Sequence, residues 1–394
     1  MKTAGFSFLV ALVMALSGAA CDGGGGGGGN GGGDDTLPED GSGGELIEDS
    51  GGGGGPQWAA VPGATLGDVT QVRGFDAAAG ALYLTVTSPV SAGLFHLDLA
   101  GGAEEFAKIF EGTGLALATE AGTYMALWES KAGSLVQVNL EGEAADLSFN
   151  FPQREIQRMV YTDGLLYLLS KNWEVAEYHV NRGSAAAMQW DQLGAASNET
   201  ALGFHSDGDT VAIVTVRNDI PLGLNCRSIA ANATEADAWS DCPDFPQHLG
   251  AGPNDPYSVK ASVTGDGEIM AAWFEILKTG QKSYEVQAGT IGGGWSVVAG
   301  LPDGVAPSAM LVAGSTLYVA YQGRGGGEQV FTHTTVSGVG GTPGVTGIGG
   351  GLPEPSGDKS GVVGLAADGA SVYALYQDYN AGGSTLTAYK MIGE

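Results

Sequence analysis

Three cations, Arg73, Arg158 and Lys260, fall on segments whose apolar patterning predicts the innermost strands of a repeated β unit. Converging near one axis, they would hold a carboxylate or sulfate group through short, charge-assisted hydrogen bonds. The opposing expectation is that each pairs with a neighbouring aspartate and only balances local charge. Carboxylates placed for acid/base work follow the predicted second strands, at Glu129, Asp219, Glu275 and Asp378. Nothing in their spacing selects a pair.

Other chemistry has weaker support. The five histidines, His96, His179, His205, His248 and His333, are scattered through the chain. They form neither an H-x-H nor an H-E-x-x-H pattern, so no metal site is expected. The short DGD and GDGE pieces suit hairpins better than calcium loops. Phosphate-loop and G-x-S-x-G patterns are missing from the sequence. No cofactor is expected.

The elements that must position these residues appear as an internal repeat. Seven times a Gly-containing turn is followed by an apolar strand, with turn glycines at 80, 122, 164, 208, 267, 314 and 369. Spacings of 42 to 59 residues suit the blades of a β-propeller. Asp-Gly at such turns supplies the positive φ angles a tight hairpin needs. Tyr83, Tyr124, Tyr167, Tyr318 and Tyr373 recur at one strand position, which reads as packing between blades.

Third strands are predicted at 94–99, 135–140, 175–180, 224–228, 284–290, 329–334 and 386–391, mostly with the alternation of half-exposed strands. Outer strands carry Phe110, Phe149, Trp190, Trp239 and Trp295. The expected fold is therefore all-β, a seven-bladed β-propeller of four-stranded blades. The last unit ends after its third strand, so PQWAAVPG at 56–63 is expected to complete it and close the ring. The two widest spacings also leave six or eight blades open. Polar loops such as 129–133, 170–174, 217–223, 322–328 and 377–383 share the face where ligands would enter.

Ahead of the repeats lie two segments of other character. Lys2, the apolar run Phe6–Leu16 and the small residues Ser17–Ala20 form an export signal over 1–20, too short for a comfortable membrane span. Residues 22–55 carry eight carboxylates, no cation and no aromatic residue, so 21–55 reads as a Gly-rich acidic linker and 56–394 as the folded domain. A coil of this length reaches roughly 30 Å. With 44 acidic against 16 basic side chains, net charge −28, the chain repels phosphate backbones, and nucleic acid is not an expected partner.

Gly18, Ala19, Ala20 and Cys21 resemble the lipobox of bacterial lipoproteins, with glycine where that family has leucine. The resemblance implies cleavage before Cys21 and lipid attachment to it, hence a membrane-anchored protein of the cell envelope, periplasm-facing or at the surface. Gly18 and Ala20 also fit the small-x-small rule of ordinary secretion. An exported chain pairs its thiols, and Cys226 with Cys242 would form a bridge worth roughly 3 kcal/mol, leaving Cys21 over; two separate buried thiols are the alternative. The blades resemble bacterial β-propellers in general, without a WD or kelch pattern. The fifth unit is loosely similar to sialidase-type blades but lacks their Asp box. The resulting expectation is a monomeric, lipid-anchored, non-enzymatic module binding an envelope protein or glycan; the alternative is a glycan-active enzyme of sialidase-like architecture.

Overall fold

The computed structural model describes residues 56–393 except 88–91, 102–104, 113, 120–122, 130–131, 185–188, 218–222, 247–260, 279–280, 299–306, 323–328, 336–344, 349–351, 353–359 and 381–382. Its strands form seven four-stranded antiparallel sheets. After β1 (Gln57–Gly67), the first sheet is β2 (Gln71–Ala78), β3 (Ala81–Thr87), β4 (Gly93–Asp98) and β5 (Ala107–Glu111). The second is β6 (Gly114–Ala118), β7 (Thr123–Glu129), β8 (Ala132–Val138) and β9 (Ala144–Pro152). The third is β10 (Arg154–Thr162), β11 (Leu165–Asn172), β12 (Glu177–Ser184) and β13 (Gln189–Ser197).

The fourth sheet is β14 (Thr200–Ser206), β15 (Thr210–Arg217), β16 (Gly223–Ala230) and the short β17 (Ser240–Asp241). The fifth is β18 (Ala261–Asp266), β19 (Ile269–Lys278), β20 (Gln281–Thr290) and β21 (Gly293–Val297). The sixth is β22 (Pro307–Ala313), β23 (Thr316–Gln322), β24 (Gln329–Thr335) and β25 (Val345–Ile348). The last combines β26 (Gly361–Asp368), β27 (Ser371–Asn380) and β28 (Gly383–Ile392) with β1, which pairs antiparallel to β28. First strands touch in cyclic order, β2 against β6, onward to β26, and β26 against β2. The arrangement is that of a β-propeller with four-stranded blades, its last blade completed by the N-terminal strand as expected.

Burial explains the strand types. Second strands are sandwiched between neighbouring sheets, so β3 (ALYLTVT) is buried at six consecutive positions instead of alternating. The fourth strand β5 is an outer edge with Lys108 and Glu111 exposed, which discourages edge-to-edge pairing. The recurrent tyrosines are all buried. Tyr124 packs with Ile156 and Met159 of the third sheet, Tyr167 with Phe204 of the fourth and Tyr318 with Val362 of the last, so each joins one blade to the next.

Two local departures matter. The third strand expected from Val175 begins at Glu177, because Trp173–Ala176 forms a turn with Ala176 at φ 54°. The fourth strand beside Trp239 shrinks to two residues, because the preceding segment crosses to the third sheet. There Gly194 N donates to Thr234 O at 3.0 Å and Trp239 Nε1 donates to Ala195 O at 3.1 Å. The Cys226–Cys242 disulfide ties both ends of this strap together.

Candidate functional site

Six of the first strands carry a register shift near their start, at Val72/Gly74, Gly114/Ala116, Ile156/Arg158, Ala201/Gly203, Pro307/Ala309 and Val362/Gly364. A bulge inserts one extra residue and re-aims the side chains around it. Arg73, Gln157 and Leu202 are the inserted residues of β2, β10 and β14, and all three line one cavity of about 360 Å³. Arg158, Glu155 and Gln71 complete its polar wall, while Ile156 and Leu169, both buried, form its apolar floor.

Arg73 and Arg158 come from the first and third sheets and retain exposed surface. Surrounding protein nevertheless strips water from the Arg158 guanidinium and pushes its pKa down. The two observations agree if the side chain stands in an open channel, deep among protein atoms yet reachable by solvent. Its hydrogen bond is a long one, Nη1 to Gln157 O at 3.5 Å. Elsewhere arginines are satisfied by carboxylates: Arg227 meets Glu199 at 2.9 Å and Asp241 at 3.5 Å, and Arg182 meets Asp191 at 3.3 Å. Among the described residues neither Arg73 nor Arg158 has such an ion pair.

The cavity opens at the starts of the first strands, the end fed by the connections between blades. The opposite ends carry hairpin carboxylates. Asp368 Oδ2 accepts from Gly80 N at 2.7 Å, Asp266 Oδ2 accepts from Gly314 N at 2.6 Å, and Asp207 Oδ1 accepts from Thr210 N at 2.7 Å. Among the described residues these cations stand at one end of the first strands and these carboxylates at the other, which favours an anion at the first.

Beside that mouth is the β11–β12 turn. Glu155 pairs in register with Lys171, and two residues further along Gln153 O accepts from Trp173 N at 3.0 Å. Trp173 is 53% exposed and Val175 56%. Lys171 Nζ lies 4.1 Å from the Trp173 ring centroid, and Gln153 Nε2 donates to Glu174, so the turn is held from both sides.

Cys21 and Lys260 lie outside the described residues, as does Asp219. Asp378 accepts from Ser360 Oγ at 2.9 Å within the last blade. His179 and His205 are buried, His179 Nδ1 lying 3.0 Å from Gln192 Oε1 and His205 Nε2 3.0 Å from Gly267 O. Among the described residues no group of three or more His, Cys, Asp or Glu side chains could hold a metal ion. Glu155 and Gln157 escape sequence reasoning because a bulge breaks the period-2 alternation that assigns strand faces. Trp173 alone left a signal, as a large aromatic inside the polar loop 170–174.

No protein-family model and no curated protein matches this sequence. Solved structures do match. The β-propeller domain of the Trilobed protease from Pyrococcus furiosus aligns with 84% of this chain and 95% of its own length, at 9% identity and a TM-score of 0.53. The acylaminoacyl peptidase of Pyrococcus horikoshii aligns with 81% of this chain at 8% identity and a TM-score of 0.51, and the chain spans about half of that protein, 52%. The first of these has an open velcro topology, whereas here β1 pairs with β28. At such identities the likeness is one of fold, and it identifies this chain as a β-propeller.

Proposed function

We infer that the protein is a lipid-anchored, non-enzymatic binding module of the cell envelope, a seven-bladed propeller whose channel mouth takes a ligand carrying a carboxylate or sulfate group. The observation that carries the ligand site is the convergence of Arg73 and Arg158, from two different blades, on one cavity, with no ion pair to either among the described residues. A desolvated cation lacking an anion is an unfavourable arrangement that a bound anion relieves. The anchor rests on the lipobox-like run Gly18–Cys21 after the apolar segment, and the acidic linker supplies the stand-off. Glu155 in the same cavity favours a second reading, a glycan-active enzyme, for which it would be one of the two carboxyl groups needed.

Calorimetric titration of the mature chain with sulfate and with succinate tests the site. Saturable binding is expected in the wild type and loss of it in the double variant Arg73→Gln, Arg158→Gln with unchanged Tm; an equal affinity in that variant overturns the site. Labelling with a palmitate analogue tests the anchor, because label that persists in Cys21→Ser overturns it. Turnover of an acidic oligosaccharide that disappears in Glu155→Gln would decide for the enzyme.

A further inference from the structure

Resting on the anion site just described, we propose that its ligand is a singly acidic glycan, with the carboxylate of a uronic acid held by Arg73 and Arg158 and an adjoining sugar ring stacked on Trp173. Three observations narrow the class. The first is charge. Among the described residues the cavity wall brings two cations and one carboxylate, Glu155, a surplus of one positive charge. A chain of net charge −28 repels a polyanion, whereas one carboxylate on an otherwise neutral ligand is matched.

The second is the pattern of polar groups. Gln71 and Gln157 offer both donors and acceptors, and Glu155 accepts, around an apolar floor of Ile156 and Leu169. Vicinal hydroxyls, each able to donate and accept, satisfy such a wall while the C–H face of a sugar covers the floor. An acidic peptide offers one backbone N–H and one carbonyl per residue and no vicinal hydroxyls, so it meets fewer of these groups at once.

The third is the rim. Trp173 lies two residues along the hairpin from the Glu155–Lys171 pair, about 7 Å at strand rise, so a ligand of two rings reaches from cavity to indole. An exposed tryptophan is ordinarily a liability, and this one is kept in place: Lys171 packs on its ring, its backbone N–H donates to Gln153 O, and Gln153 Nε2 donates to Glu174 in the same turn. A platform fixed before binding loses little entropy on stacking.

The test uses the mature chain and four probes: cellobiouronic acid, cellobiose, succinate and an end-capped acidic dipeptide. Cellobiouronic acid is expected to bind at least 10-fold more tightly than cellobiose, which lacks the carboxylate. Trp173→Ala should weaken cellobiouronic acid roughly 2- to 10-fold and leave succinate unchanged. Because the residue is exposed, the variant should keep the wild-type Tm. Equal affinity of Trp173→Ala for cellobiouronic acid overturns the proposal, as does equal affinity of the wild type for cellobiose. The same Trp173 dependence with the dipeptide overturns it in favour of a protein partner. Succinate binding that needs the two arginines but no Trp173 effect would sink this inference and leave the anion site standing; no binding of any probe would sink both.

Discussion

Asp368 Oδ2 accepts a hydrogen bond from Gly80 N at 2.7 Å, joining residues 288 positions apart across the seam of the ring. Asp368 ends the first strand of the last blade, and Gly80 sits in the first hairpin with φ 78°. A second tie lies nearby in sequence terms: Gln377 Nε2, buried, donates to Val69 O at 3.1 Å. Together with the β1–β28 pairing these bonds close the ring. The Asp of one hairpin thus has two duties, favouring its own turn and accepting an N–H from the next blade's turn. Asp266 repeats this with Gly314.

Asp368→Ala should lower stability by about 1.5–2 kcal/mol, the lower part of the range for a hydrogen bond to a charged group, because the bond is only partly buried. Asp266→Ala, whose bond is exposed, should lose less, about 0.5–1 kcal/mol. Urea unfolding checks both. Equal and negligible effects would mean that strand pairing alone holds the seam.

Gly203 follows the bulge of β14, and a Cβ there would lie 2.7 Å from Val263 Cβ on the adjoining first strand. Gly74 holds the corresponding place in β2, with Leu117 Cβ at 2.8 Å. These glycines let neighbouring first strands approach around the axis. Gly203→Ala should destabilise the fold by about 1–3 kcal/mol through overpacking. Gly67→Ala, which meets no atom within 4 Å, is the control and should be near neutral. Thermal unfolding of the two variants distinguishes a specific clash from a general loss of glycine.

The blade plan was legible because hairpin chemistry is local. Asp163-Gly164 shows φ angles of 51° and 80°, as an Asp-Gly turn between apolar runs implies, and the buried tyrosines follow from a fixed offset to that turn. Closure by the N-terminal strand, expected at 56–63 and found at Gln57–Gly67, was legible from the missing fourth strand of the last unit. The site was legible only in part. Arg73 and Arg158 were marked by being cations on strands meant for the axis, but their shared cavity depends on bulges at Val72/Gly74 and Ile156/Arg158. A bulge leaves no composition signal, since it is chosen by how adjoining sheets pack. The exposure of Trp173 likewise follows from β12 starting at Glu177, two residues later than alternation predicts.

Reduction of the Cys226–Cys242 bridge should cost roughly 3 kcal/mol of stability, by freeing the unfolded chain over a separation of 16 residues. The native effect should be local. The bridged segment includes Thr234 and Trp239, which bond to Gly194 and Ala195 of the third blade. Hydrogen exchange in the Cys226→Ser, Cys242→Ser variant should therefore rise at Gly194, whose N–H donates to Thr234 O. Exchange that rises evenly around the ring instead would show that the strap does not depend on the bridge.

Acid should destabilise the propeller above the range in which carboxylates titrate. Burial lowers the pKa of His205, His179 and His96 below the ordinary value of 6.5, against the opposing pull of nearby carboxylates. For His205 those carboxylates are Asp266 and Asp207; for His179 they are Glu177 and Glu235, with Arg154 adding to the lowering; for His96 the carboxylate is Asp98. A folded-state pKa below the unfolded one means that the unfolded chain binds protons first as pH falls. The contribution is present above about 6.5 and is lost as pH falls toward the depressed values. His205 is the decisive group, because its ring fills the space over Gly265, where a Cβ would lie 2.3 Å from the imidazole. Its Nε2–H donates to Gly267 O in the tautomer that keeps the ring neutral. Tm measured from pH 7.5 to 5.5 should fall, and His205→Gln, which can keep a donor for Gly267 O, should flatten that slope while lowering Tm at pH 7.5. A slope unchanged in His205→Gln would assign the acid sensitivity to groups outside this blade junction.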